Sequence, residues 1–246
     1  MTSPALAREM PDGSRAYTHP LTGEEVPSVT TVIAMMNKPK LVGWSARMAA
    51  EYAVSHWEEL GRLPVMERVS RIRYAHERVR DEKADLGDAV HNLIDAWQKG
   101  KPSPDPPGSI NAYVSQFIAF MTEKRPRFLM NEFTVWSDVH GYAGTGAWIA
   151  EIAGRIVLGD TKSGRRVYEE AGLQVSALAG ADHILTPEGA EIEMPAIDAL
   201  AVLHIRPRSW KLIPVSRQEE NFRAFLACRQ IWEWNHHVKP YVLGAG

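Results

Sequence analysis

Apolar positions in the first half of this 246-residue chain recur every three or four residues, which predicts helices; in the second half they form short runs bounded by turn residues, which predicts strands. Pro27-Ser28 opens a short helix on Val29, Val32 and Ile33. Over 41–60, Trp44, Met48, Tyr52 and Trp57 make one apolar helical face, and another helical stretch begins over 71–79. The helix expected over 81–99 carries Leu86, Val90, Leu93 and Trp97 at helical spacing, with His91 beside that stripe. The proline-dense segment 101–108 reads as an extended linker. Ser109 stands where a cap belongs for the next helix, whose face is Ile110, Val114, Phe117 and Met121 and whose end is Arg125-Pro126.

Three strands follow over 130–136, 143–152 and 155–161, with turns at 138–141 and at Ala153-Gly154, an order that suits an antiparallel meander. A helix over about 167–181 and a hairpin of 199–205 with 210–215 come next. Ser216-Arg-Gln-Glu219 reads as a capping box for a last helix that turns Phe225, Cys228 and Trp232 inward. The expected organisation is an irregular arm over 1–26 and a single domain over 27–246. Within that domain, 27–125 is mainly helical, 126–215 contains the sheet, and 216–246 is the C-terminal helix and tail. The fold class is α/β in the α+β sense, a mixed central sheet flanked by helices.

Composition narrows the picture a little. With 45% hydrophobic and 24% charged residues the chain is ordinary for a globular protein. A net charge of −2 gives no global nucleic-acid signal, so a DNA path would have to be a local basic stripe. The single cysteine, Cys228, excludes an internal disulfide framework and a four-cysteine iron-sulfur cluster, and it reads as a small core residue of the last helix. No apolar run approaches the roughly 20 residues that span a bilayer, and residues 1–8 lack a signal-peptide core; a cytoplasmic location, without membrane partners, is expected.

The richest chemistry lies in Arg155-Ile-Val-Leu-Gly-Asp-Thr-Lys-Ser-Gly164. A strand alternates its faces, so Asp160 and Lys162 project to one side, roughly 6–7 Å apart along the chain. An acid and a lysine so placed have two readings: half of a metal-nuclease site, where one holds a divalent cation and the other reaches the water it activates, or a same-face ion pair at a solvated strand end. Tyr142 and Trp148 are aromatic positions able to stack a base, with packing the stronger reading for Trp148. Arg47, Arg71, Arg73, Arg165 and Arg166 are candidates for phosphate contacts.

These residues sit among further motifs. Gly141-Tyr-Ala-Gly-Thr-Gly-Ala-Trp-Ile-Ala-Glu-Ile-Ala-Gly-Arg155 resembles the second strand of the RecB-like branch of the PD-(D/E)XK nucleases, phage exonucleases above all. Gly87-Asp-Ala-Val-His91 resembles the Gly-x-x-x-His motif of that branch, and Tyr168-Glu-Glu-Ala-Gly-Leu-Gln174 resembles the helix whose glutamine follows the lysine. The resemblance spans about 27–215 and implies a restriction-endonuclease-like core. It also implies magnesium or manganese as cofactor, DNA as partner, and a recombination or single-strand-annealing protein as a possible second partner. By this resemblance, Asp160, the Thr161 carbonyl and His91 would bind metal, Glu132 would add a carboxylate, and Lys162 with Gln174 would serve the reaction. A phage-encoded protein would act in a bacterial host cell.

One position departs from the pattern. The family's Gly-Thr-x-Asp strand carries a metal-binding aspartate where this chain has Ala147. Magnesium prefers near-octahedral oxygen coordination, so losing that carboxylate impairs the site. Glu151 is a poor substitute, roughly 13 Å further along a strand. Two origins fit: a substitution that silences a nuclease, favoured because His91, Asp160, Lys162 and Gln174 are intact, or a non-catalytic DNA-binding or scaffolding subunit with a naturally degenerate site.

Overall fold

A computed structural model describes residues 6–80, 87, 89, 90, 92, 96 and 108–243. The chain divides into two compact units, one of residues 1–36 with 90–246 and one of residues 37–89. The first unit opens with three strands, β1 (Ala7–Glu9), β2 (Arg15–Thr18) and β3 (Glu25–Pro27), paired antiparallel in that order. The expectation of an irregular arm fails here because Tyr17 and Val26 are core residues, packed with Trp136, Ala143 and Leu185. Buried side chains fix the backbone despite its wealth of turn-forming residues. Helix α1 (Val29–Ile33) follows, and Ser28 caps it by accepting a hydrogen bond from the Thr31 amide at 3.0 Å.

The helical unit holds α2 (Pro39–Ser55), α3 (Trp57–Gly61) and α4 (Val65–Arg73), with helical residues again over 75–80. The helix expected over 41–60 breaks at His56. Trp57 therefore starts a new helix and is 75% exposed instead of joining the face of Trp44, Met48 and Tyr52. Arginines staple this unit. Arg71 bridges Glu59 of α3 and Glu67 of α4, each at 2.8 Å, and Arg78 lies over the Tyr52 ring at 4.6 Å. The helix expected over 81–99 is described only at 87, 89, 90, 92 and 96, all helical; His91 and the linker residues 101–107 lie outside the described residues.

Back in the first unit, α5 (Gly108–Lys124) precedes β4 (Arg127–Ser137), β5 (Tyr142–Ile152) and β6 (Arg155–Lys162), the expected antiparallel meander. Next come α6 (Glu170–Ala179), β7 (His183–Leu185), β8 (Glu191–Glu193), β9 (Ala199–Arg206), β10 (Ser209–Val215) and α7 (Gln218–Glu233), followed by a π-helical turn (Trp234–Val238) and a 3-10 turn (Lys239–Tyr241). One mixed seven-stranded sheet results, ordered β10-β9-β6-β5-β4-β7-β8, with β6 and β9 parallel and the other neighbours antiparallel. The capping box expected at Ser216 does not form. The chain turns out of β10 through Arg217 in the left-handed region (φ 55°), so the helix starts at Gln218 without a side-chain cap.

Helices flank the sheet on both faces. α1, α6 and α7 bury Val32, Val175, Leu178 and Phe225 with Leu158 and Ile149 in one core. Strand alternation gives the opposite face to Ile205 and Trp210, and there Phe120 of α5 meets Trp210 edge-on at 5.3 Å. Cys228 is buried in α7 as a free thiol whose titration burial pushes up, the behaviour of a packing residue. Among the described residues no helix is long and apolar enough to cross a membrane.

The pair Trp148↔Gly159 shows how closely the central strands fit, since an added Cβ at Gly159 would collide with the Trp148 indole. Gly159→Ala is expected to destabilise the protein by about 1–3 kcal/mol through overpacking. Urea unfolding checks this: a lowered midpoint with unchanged slope is expected, and an unchanged midpoint contradicts it.

Candidate functional site

Strand β6 owes its position to the apolar run Ile156-Val157-Leu158, which buries it between β5 and β9. Its two neighbours treat its end differently. Pairing with β5 runs from Ile152↔Arg155 to Trp148↔Gly159 and stops. Pairing with β9 continues through Asp160↔Val202, Thr161↔Leu203 and Lys162↔His204. Asp160 thus lies where one neighbour leaves and the other stays, and it is only 5% exposed.

Asp160, Lys162 and Gln174 come together. Lys162 Nζ is 2.8 Å from Asp160 Oδ2 and donates a hydrogen bond to Gln174 Oε1 at 3.0 Å. Gln174 lies about one turn inside α6, so the lysine ties the end of β6 to that helix. The ion pair is not an ideal hydrogen bond: Oδ2, though close to Nζ, receives no well-directed donor. Removing the ammonium would leave a buried carboxylate uncompensated, at a cost on the order of 1–3 kcal/mol given that the lysine side chain is itself 37% exposed. On the other face of β6, Thr161 Oγ1 accepts a hydrogen bond from Trp148 Nε1 at 3.1 Å. That bond and the buried site of Trp148 make this indole a packing residue.

Position 147 lies level with these groups. The pairs Asn131↔Trp148 and Phe133↔Gly146 set Glu132 across from Ala147, and one register step beyond Trp148↔Gly159 brings Ala147 level with Asp160. The strands are irregular here. Tyr142 and Gly144 reach the α6 side, where Tyr142 bonds Ala177 and an added Cβ on Gly144 would meet Leu178; further along β5, alternation would put Trp148 on that side, yet its neighbour Ile149 shares the face of Leu158. The alternation slips between them, and across that slip Glu132 has φ 47°, a left-handed conformation uncommon for a non-glycine residue. Glu132 is exposed.

Several expected site residues lie elsewhere. Tyr142 does not face a strand of DNA. It is fully buried, its hydroxyl donates to the Ala177 carbonyl at 2.8 Å, its ring meets Phe225 edge-on at 4.8 Å, and burial pushes its phenol well above the ordinary range. A core residue cannot stack a base, so the stacking role expected of Tyr142 fails on its burial. Arg47 belongs to the helical unit, where it pairs loosely with Glu51 at 3.7 Å. Arg71 is engaged by two glutamates. Arg165 and Arg166 are exposed on the segment between β6 and α6, and the Arg166 guanidinium lies over the Tyr168 ring at 4.3 Å. Glu151 is taken up by an ion pair with Arg127. Among the described residues, no three His, Cys, Asp or Glu side chains gather into a group able to hold a metal ion.

The sequence reading missed His204. The parallel register puts it beside Lys162, and its Nε2 is 2.8 Å from the Gly164 carbonyl, which only a protonated ring nitrogen can approach as a hydrogen bond. The residue therefore pins the segment carrying Arg165 and Arg166. A histidine in an apolar hairpin strand gives no such signal, because strand pairing across forty residues is not written in local spacing.

No family model matches this chain, and no curated protein does. Among solved structures, one described as "Crystal structure of SSO0001" is 11% identical, with a TM-score of 0.28, over 83% of this chain and 96% of that chain. A likeness that slight carries no argument.

Loss of the His204 anchor should loosen the segment after Lys162. Trypsin is expected to cut after Arg165 or Arg166 several times faster in His204→Leu than in the unaltered protein, while His204→Gln, which keeps an N–H donor, stays slow. Equal rates in all three proteins would show that the Gly164 bond anchors nothing.

Proposed function

We propose that this chain has the architecture of a metal-dependent DNA nuclease of the PD-(D/E)XK superfamily, RecB-like branch, acting as an exonuclease in DNA recombination, repair or phage DNA metabolism, and that alanine at 147 silences it. The supporting observation is the buried Asp160 at a strand end with Lys162 at 2.8 Å and Gln174 beyond it, level with position 147 on the next strand. When bound by enough carboxylates, magnesium or manganese polarises a phosphate and activates water.

The described donors do not fit that ion as they stand. They amount to one buried carboxylate already paired with a lysine, the Thr161 carbonyl, and an exposed Glu132 across from Ala147, with His91 outside the described residues. No hydrolytic step is therefore assigned to the unaltered chain. Its own residues still suit a nucleic-acid partner: Lys162 presents an ammonium beside the carboxylate, and Arg165 and Arg166 stand exposed on the segment that leaves it. Most affinity for DNA comes from phosphate contacts, none of which Ala147 would make or break. Alanine where the family carries a metal-binding aspartate also fits a second reading, a subunit that binds DNA without cutting it.

Ala147→Asp is expected to gain magnesium- or manganese-dependent digestion of linear duplex DNA, with a closed circle left intact. In that background Lys162→Ala should lower turnover by a factor on the order of 10² or more, by removing charge stabilisation of the transition state. Both forms should bind DNA with an affinity that falls steeply with salt. DNA binding without any gain of cleavage supports the non-catalytic subunit, and binding that is absent or insensitive to salt rejects both readings.

A further inference from the structure

We infer that Lys162 is the resident cation of the Asp160 site and keeps it closed to divalent metal for as long as position 147 is apolar; the importance given to position 147 rests on the proposed nuclease reading. A carboxylate that is 5% exposed needs a positive partner, because burial strips away the water that would otherwise stabilise its charge. Two kinds of cation could serve, one from solution and one from the chain. Among the described residues the solution ion finds a single buried carboxylate and no group of three suitable side chains, far short of the several oxygens a hard dication takes. The ammonium is already tethered two residues away, 2.8 Å from Oδ2, and steadied at 3.0 Å by Gln174 Oε1. With one negative charge to balance, the lysine suffices.

The same geometry makes the lysine displaceable. Asp160 Oδ2 receives no well-directed hydrogen bond, and Nζ has a second partner in Gln174 Oε1. A second carboxylate at 147, level with Asp160, would add a charge that one ammonium cannot balance and would supply a second donor. Position 147 then decides which cation the site holds.

The test reads metal binding, so it is independent of cleavage. Thermal unfolding is followed in EDTA and in manganese chloride for the unaltered chain, Lys162→Met, and Lys162→Met combined with Asp160→Asn. With alanine at 147, the expected result is a lowered midpoint for Lys162→Met, a midpoint restored toward that of the unaltered chain when Asp160→Asn removes the uncompensated charge, and no manganese response in any of the three. Should Lys162→Met not fold, Lys162→Gln, which keeps a polar contact to Gln174, carries the same comparison. In the Ala147→Asp background, Lys162→Gln is expected to tighten manganese binding, read by electron paramagnetic resonance, by about tenfold, the effect of losing one competing ion pair. The inference is overturned if manganese stabilises the unaltered chain, if Lys162→Met folds with an unlowered midpoint, or if Lys162→Gln leaves manganese affinity unchanged in the Ala147→Asp background. Failure of Ala147→Asp to cut DNA would leave these readings untouched and would count against the nuclease proposal alone.

Discussion

A carboxylate taken out of water must find a positive charge or give up its own, and the end of β6 is organised around that requirement. Asp160 is buried because β6 lies in the middle of a seven-stranded sheet whose apolar run carries it inward. Lys162 follows two residues later on the same face, and Gln174 of α6 holds the lysine from the far side. The acid, its counter-ion and the support of that counter-ion thus come from one strand and the helix that follows it. A supporting hydrogen bond such as that from Lys162 to Gln174 is what holds a site side chain in one geometry.

The sheet contributes a second constraint. Parallel pairing with β9 extends to Lys162, while antiparallel pairing with β5 ends at Gly159. Asp160 and Lys162 are therefore held by one neighbour and left open toward the other, on the side where Ala147 and Glu132 lie. The left-handed backbone at Glu132 and the slip in alternation along β5 fall at the same level. Departures from regular strand geometry persist only where the surrounding structure over-determines them. Here the tight Trp148–Gly159 contact and the Phe133 ring over Gly146 supply that surrounding force.

Much of this was legible in the sequence because it is local. The three-strand meander, the hairpin after it and the Asp160–Lys162 face follow from alternation and turn residues, whereas Gln174 is singled out only through the resemblance of its helix to the one that follows the lysine in RecB-like nucleases. What escaped depends on distant partners. Residues 1–26 look irregular in composition, yet Tyr17 and Val26 have core neighbours more than a hundred residues away. Trp57 fits a helical face by spacing, but the helix breaks one residue before it. Tyr142 fits a nucleic-acid surface by residue type, and its environment is set by α6 and α7, which follow it in the chain. The capping box at Ser216 had the right residues, and the turn out of β10 overrode it. His204 became visible only when the parallel register set it beside Lys162.

If position 147 selects between a lysine and a divalent ion, the exchange can be seen in one experiment: the anomalous difference map of Ala147→Asp crystals soaked in manganese, beside the unaltered protein treated alike. The expected map holds a manganese peak next to Asp160 in the variant, with Lys162 moved off Oδ2, and no such peak in the unaltered protein. No peak in the variant and Lys162 still on Asp160 would mean that the pair is structural and that position 147 has no part in holding a metal.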